Sequence, residues 1–226
     1  MTKVQNHKCM SRYKQFILSI LCSVLMSFLG LSDSQPKQHL QESQLQKKDK
    51  VAYFASGCFW CVEAIFESLE GVTEAVSGYA GGFTKNPTYR SIGTGKTGHA
   101  ETVAVYYNPE KISFTTLVDV FFGSHNPTTK NGQHPDYGSQ YRSIAFYTTE
   151  AEKNIIETAI KKLNKEVYHG KIVTQVIKHT KFYVAEEYHQ NYKKRNPTNS
   201  YVQNVSIPRF NRFKKKFPTL LKKNHQ

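Results

Sequence analysis

Cysteine occurs at positions 9, 22, 58 and 61, and the last two form the C-x-x-C pair Cys58-Phe59-Trp60-Cys61. The first two fall in a terminal segment that reads as an export signal, so redox chemistry in the processed chain has to run through Cys58 and Cys61. Thiols attack as thiolates, and those at helix N-termini or in C-x-x-C pairs have pKa values lowered to about 3.5 to 7.5. The pair follows Gly57, where the apolar run at residues 51–56 gives way to Val62, Ile65, Phe66 and Leu69 at helical spacing. Cys58 is therefore expected at a strand-to-helix junction, acidified by unpaired N–H groups and the helix dipole. A disulfide exchanger, a pair of inert core thiols and a zinc site share the same signature. Zinc would need two more ligands, and His99, His125 and His134 lack the spacing to provide them. Taken alone, the pair leaves the exchanger and other thiol enzymes open.

Several elements must hold this pair in position. Gly71 stops the first helix. Phe114, Leu117, Val118, Phe121 and Phe122 form the core-facing stripe of a second one. Residues 102–107 and 143–148 alternate as strands, and Thr149 with Glu152 makes a capping box before a third helix. Its inward positions are Ile156, Ala159, Ile160, Leu163 and Val167. Residues 172–177 return to a β-rich composition, and a last helix is expected over about 183–195. Strands interleaved with helices of this size predict an α+β domain, a two-layer α/β sandwich in which helices pack on a mixed sheet.

A formal charge of +14 would suit a polyanion binder if it were spread over the folded body. It is not: residues 1–32 hold Lys3, Lys8, Arg12 and Lys14, residues 195–226 hold eight basic side chains, and neither segment has an acid. The body between them is nearly neutral, which argues against nucleic acid as its partner. Residues 16–31 are almost wholly apolar behind a basic start; as a helix they would span about 24 Å, less than the roughly 30 Å hydrocarbon core. That length favours a secretory signal over a permanent anchor. The expected organisation is a signal peptide or membrane anchor at 1–32, a polar linker at 33–49, a catalytic domain at 50–195 and a basic extension at 196–226. The extension is expected to wrap loosely on the domain and to be dispensable for it, with its lysines available to anionic lipid or envelope polymer. The chain is expected to be exported, to a periplasmic or cell-envelope location, either free or membrane-tethered.

Residues 57–63 read GCFWCVE, and further blocks follow: GYAGG at 78–82, NPTY at 86–89, TGHAE at 97–101, GSQYRS at 138–143 and AEEYHQ at 185–190. Over about residues 50–193, in order and spacing, the chain resembles the methionine sulfoxide reductase A family. The resemblance implies a ferredoxin-like core and reduction of methionine S-sulfoxide, free or within proteins. It implies no metal or organic cofactor, and an external reductant such as thioredoxin or another dithiol. It also implies that Cys58 is the attacking thiolate, that Phe59 and Trp60 line the pocket for the S-methyl group, and that Glu101 handles the proton on the sulfoxide oxygen. Tyr89 and Tyr141 match the hydroxyl donors to that oxygen, and Asp136 matches an acid near the substrate's amino side.

These assignments make chemical sense. A sulfoxide is a poor electrophile, so its oxygen must be protonated or strongly hydrogen-bonded as sulfur is attacked. Glu101 shares a strand face with Val103 and Val105, where burial would keep its carboxyl neutral. His99 is expected to be structural, and Glu63 to steady the helix start. Oxygen transfer leaves Cys58 as a sulfenic acid that a neighbouring thiol can condense with. Many relatives carry that thiol in a C-terminal tail, but nothing after Cys61 is Cys, so Cys61 is expected to resolve the intermediate. Ser56 and Asn126 are further departures, where relatives often have Gly and Asp.

Overall fold

The structure is a computed structural model that describes residues 49–225. The expected signal and almost all of the polar linker lie outside those residues. Strand β1 (Lys50–Ser56) leads into helix α1 (Phe59–Glu67), which crosses to β2 (Val72–Ala80). A short helix α2 (Tyr89–Ile92) precedes β3 (Ala100–Tyr107), and α3 (Phe114–Gly123) follows it. Two-residue strands β4 (Gly132–Gln133) and β5 (Asp136–Tyr137) pair as a small hairpin ahead of β6 (Ser143–Tyr147) and α4 (Glu150–Leu163). The chain ends with β7 (Gln175–Lys178), β8 (Phe182–Val184), α5 (Tyr192–Arg195) and α6 (Ile207–Lys216).

Six strands form one sheet in the order β7-β6-β1-β3-β2-β8. Only the β6–β7 pairing is parallel, so the sheet is mixed as expected. Its centre, β6-β1-β3-β2 with α1 and α3 as connections, is the split βαβ arrangement of a ferredoxin-like core. The main core lies where the helices meet the sheet: the Phe54 ring on β1 stacks on Phe66 of α1 at 5.2 Å and on Phe121 of α3 at 5.0 Å. The other face carries a thinner layer of Ala55, Ala80, Ala100, Ile144 and Phe146.

Several expectations are corrected. Strand β2 was not anticipated, because its stretch VTEAVSGYA mixes Ser and Gly into the apolar positions. Gly78 is needed there: a Cβ would lie 2.2 Å from the Phe182 ring of β8. The helix expected over 183–195 shrinks to α5. Residues 182–184 pair with β2 instead, and Gln190 clamps Ser77 of β2 by accepting from its N–H and donating to its carbonyl, both at 3.0 Å. Val167, placed on the inward stripe of the third helix, is 54% exposed, because the chain widens into a π-turn at Asn164–Tyr168 and rotates it outward. The capping box is displaced by one residue: Thr149 caps Glu152, but the Glu152 carboxylate accepts from the N–H of Thr148.

The largest correction concerns residues 196–225, expected as a solvated extension. Val202, Phe210, Phe213 and Leu221 are buried, the last three in the main core. Their spacing is that of a helical stripe, and burying each apolar side chain contributes about 1.5–3 kcal/mol, which outweighs the repulsion among neighbouring lysines at the surface. Beyond α6 the chain is strapped to the end of α1, with the Glu70 N–H donating to the Leu220 carbonyl and the Lys222 N–H to the Ser68 carbonyl.

Candidate functional site

Cys58 caps the N-terminus of α1, and its carbonyl accepts from the N–H groups of Cys61 and Val62. Gly57 makes the turn into the helix with φ +84°, and a Cβ there would meet Gln133 at 2.7 Å, so the approach to Cys58 needs glycine. The first N–H of the helix, that of Phe59, is not aimed at the thiol. It donates to the Glu101 carboxyl at 2.9 Å.

This alters the electrostatics expected at the pair. Burial pushes the Cys58 thiol well above its usual value, reinforced by its hydrogen bond to Cys61. Cys61 is lowered to about 6, first by that hydrogen bond and then by the charge of Arg209 and the hydroxyl of Ser206, which together overcome burial. The two thiols titrate as one pair, in which Arg209 and Ser206 favour negative charge on the Cys61 side. The Phe59 N–H at the helix terminus is taken by Glu101, so the sequence expectation of an acidified Cys58 has no contribution from that donor.

Glu101 meets its expectation of a neutral carboxyl. It is buried on β3, and desolvation raises it to about 8, aided by Asp136 and Cys61 and opposed by the Phe59 N–H. Tyr89 and Tyr141 come together beside it through a side-chain hydrogen bond. Burial and then Glu101 raise both, Tyr89 to about 12, so both remain hydroxyl donors. The Tyr89 N–H donates at 3.0 Å to Glu186, whose carboxylate also accepts from the Tyr79 hydroxyl at 2.6 Å. Phe59 and Trp60 form an aromatic wall: Trp60 stacks on Tyr192 at 3.6 Å and donates from Nε1 to His189 Nδ1 at 3.1 Å, and Tyr89 lies 4.4 Å from the His189 ring. Asp136, on the β4–β5 hairpin, accepts a short hydrogen bond from the Tyr201 hydroxyl, which also bonds Cys58. All eight sequence-predicted residues thus belong to one connected site.

Residues outside the predicted set also reach it. Glu186 and His189 lie within the AEEYHQ block and were legible as part of that motif. Tyr201, Ser206 and Arg209 come from the segment read as a basic tail, and nothing in its composition pointed to the site. Cys61 is hydrogen-bonded to Ser206 at 3.2 Å, and Arg209 donates to the carbonyls of Ser56 and Ser124, each at 3.0 Å. The hydroxyl of Ser56, the departure from glycine, also accepts from Arg209, at 3.4 Å. Asn126, the departure from Asp, accepts from the N–H and hydroxyl of Thr128.

His99 is structural as expected: its Nε2 bonds the Thr84 carbonyl at 2.9 Å and its Nδ1 accepts from Gly82. Glu63 does not act on the helix dipole. It is buried, accepts from the Ser77 hydroxyl and the Asn191 N–H, each at 2.5 Å, and ties α1 to β2 and to the chain after β8. Burial raises its carboxyl to about 7.

A sequence profile of the peptide methionine sulfoxide reductase family matches residues 50–221, including most of the C-terminal segment. Peptide methionine sulfoxide reductase MsrA 1 of Rhodopirellula baltica is 46% identical over 181 residues, which cover 80% of this chain and 94% of that protein. The MsrA of Ruthia magnifica is 50% identical over 164 residues, covering 73% and 98%. Among solved structures, reduced Mxr1 from Saccharomyces cerevisiae superposes with a TM-score of 0.64 at 36% identity, covering 67% of this chain and 88% of Mxr1. Methionine sulfoxide reductase A of Corynebacterium diphtheriae gives 0.62 at 34%, covering 68% and 78%.

Proposed function

The chain belongs to the peptide methionine sulfoxide reductase A family, and from that premise we propose how its residues divide the reaction. The chain is an oxidoreductase that reduces methionine sulfoxide to methionine with electrons from thiols. Cys58 attacks the sulfoxide sulfur. The proton held by the neutral Glu101 passes to the oxygen, with the Tyr89 and Tyr141 hydroxyls donating to it. The S-methyl group lies against Phe59 and Trp60, and Asp136 meets the amino side of the substrate. Cys58 reacts as the thiolate, sharing one titrating pair with Cys61, its hydrogen-bond partner. Methionine leaves, and the oxygen stays on Cys58 as a sulfenic acid.

Cys61 then attacks the sulfenic sulfur, expelling water and closing a Cys58–Cys61 disulfide. Residues i and i+3 on a helix lie about 5–6 Å apart, within the span a disulfide bridges. An external dithiol, thioredoxin or a relative of it, restores the thiols. Selectivity for the S epimer follows from the fixed order of sulfur, oxygen donors and methyl wall around one chiral centre.

The observation that carries this reading is the buried Glu101, raised to about 8 and held against the residue next to Cys58 by the Phe59 N–H. An acid neutral at pH 7 beside a thiol pair suits sulfoxide reduction; plain disulfide exchange has no use for it. Mass mapping after one turnover without reductant tests the scheme: a Cys58–Cys61 disulfide is expected, and a persistent Cys58 sulfenic acid would overturn the resolving step.

Export of the chain, to a periplasmic or envelope location, is proposed from the basic and apolar start of the sequence; fractionation of cells making the full chain tests it, and recovery of an uncleaved cytoplasmic protein would contradict it. Contact with anionic membrane is proposed for the outer face of α6, where Arg212, Lys215 and Lys216 are exposed. Salt-sensitive binding to anionic vesicles, lost when these three are replaced by Gln, is the expected result, and equal binding to neutral vesicles would refute it.

A further inference from the structure

The two sulfurs stand in different company. Both are buried: Cys58 lies beside Phe59 and Glu101 and bonds Tyr201, whereas Cys61 donates to the hydroxyl oxygen of Ser206, itself 1% exposed. The charged and titratable groups facing Cys61 are Cys58 on its own helix, Tyr201 and Arg209 from the C-terminal segment, Lys193 from α5, Asp136 from β5 and Glu101 from β3. Of the two carboxyls, Glu101 is neutral near pH 7, which leaves Asp136 as the one anion against two cations. Arg209 is held by the carbonyls of Ser56 and Ser124, and among the described residues no carboxylate pairs with it. Its charge is free to act on the sulfur.

We propose that Ser206 and Arg209 hold Cys61 as the departing thiolate of the Cys58–Cys61 disulfide, so that the external dithiol attacks the Cys58 sulfur and forms its mixed disulfide there. The proposal rests on the reading of Cys61 as the resolving cysteine. In the exchange, a thiolate of the dithiol bonds to Cys58 Sγ, the Cys58–Cys61 bond breaks, and its electron pair goes to Cys61 Sγ. The second thiolate of the dithiol then attacks its own partner sulfur in the mixed disulfide, closing the dithiol's disulfide and releasing Cys58. The dithiol is oxidised, the enzyme disulfide is reduced, and the two protons of the dithiol end on the enzyme thiols or in solvent. Two physical effects favour this direction. A leaving thiol of lower pKa departs faster, and the Arg209 charge and Ser206 hydroxyl lower Cys61. In the proposed reaction Cys58 must in any case be reached by methionine sulfoxide, whereas Cys61 has no substrate to meet and lies against Ser206 of the C-terminal segment. Ser206 and Arg209 are thus positioning residues for the recycling half of the cycle.

The test uses the full chain oxidised with one equivalent of methionine S-sulfoxide, then mixed with a thioredoxin whose second active-site cysteine is serine. A mixed disulfide on Cys58, with Cys61 free to be alkylated, is expected; a mixed disulfide on Cys61 overturns the proposal. Mapping the oxidised chain before thioredoxin is added separates the two readings, since absence of the Cys58–Cys61 disulfide at that point defeats the resolving assignment as well. A second readout is the ultraviolet titration of the first thiolate in the reduced pair. Ser206→Ala should move its midpoint up by about one pH unit and slow dithiol reduction by about threefold, with Ser206→Thr restoring both. A midpoint that does not move in Ser206→Ala removes the role assigned to that hydroxyl.

Discussion

The β1–α1 junction and the C-terminal segment meet at the same pair of sulfurs but are built by opposite means. At the junction everything is local: Gly57 turns the chain, Cys58 caps the helix, and Cys61 follows one turn later. The C-terminal segment arrives from far along the sequence, with 145 residues separating Ser206 from Cys61. It contributes isolated contacts: Tyr201 to Asp136 and Cys58, Ser206 to Cys61, and Arg209 behind both. The junction supplies the attack on sulfoxide, and the segment governs the second sulfur. The two regions should therefore fail in different ways when disturbed.

The largest effect belongs to the junction. Cys58→Ser should abolish methionine formation with any reductant while leaving the thermal unfolding midpoint nearly unchanged, as read by turnover and calorimetry on the same sample. A loss of folding in this variant would mean that Cys58 is a packing residue first.

Next is Glu101→Gln, which keeps an acceptor for the Phe59 N–H but has no proton to give. Activity should fall by about 10²–10⁴-fold. In the wild type, the rate that depends on this proton should fall as pH rises past about 8. Stability should fall in the same direction, but over a lower pH window. The folded carboxyl has a pKa raised from 4.5 to about 8, so the folded chain binds this proton more tightly than the unfolded one. The stability this provides is complete below the unfolded value and is lost as pH rises through the folded one. Relative to wild type, Glu101→Gln should gain stability steadily between pH 5 and 8, and denaturant titrations that gave a constant difference across that range would mean that the carboxyl is ionised in the fold.

Within the C-terminal segment, Phe213→Ala should cost about 3–5 kcal/mol, because it removes a fully buried aromatic from the main core. A cost below about 0.5 kcal/mol, typical of surface positions, would return the segment to the status of a loose extension. Truncation before residue 196 should for the same reason lose both stability and turnover, contrary to the dispensability expected from composition. The smallest effect is Tyr201→Phe, which removes one hydroxyl bonded to Asp136 and Cys58. It should cost about 1 kcal/mol of stability and shift the pH dependence of the reductive step, whereas an unchanged profile would separate Tyr201 from the thiol pair.

What could be read from the sequence follows the same division. The helices α1 and α3, the strands β1, β3 and β6, and the grouping of the eight candidate site residues were legible, because a periodic stripe or a short contiguous motif states its own structure. Strand β2 was not, since its Gly and Ser serve close packing against β8 and α1 and erase the alternation. The expected helix over 183–195 failed because Gln190 and Asn191 use their polar groups to satisfy β2 and Glu63 rather than a helix. In the C-terminal segment, the charge of seven cations masked four buried apolar residues. The electrostatics of the thiol pair was only partly legible for a related reason. Helix-start chemistry is local and predicts an acidic Cys58, but the burial of that thiol and the cation beside Cys61 are properties of the tertiary fold.

One measurement tests the central assignment most directly: methionine released from the S and R epimers of methionine sulfoxide by the full chain without reductant, beside Cys58→Ser. The account predicts a single methionine per chain from the S epimer, almost none from the R epimer, and none from the variant. Equal release from both epimers, or release that survives the loss of Cys58, would contradict it.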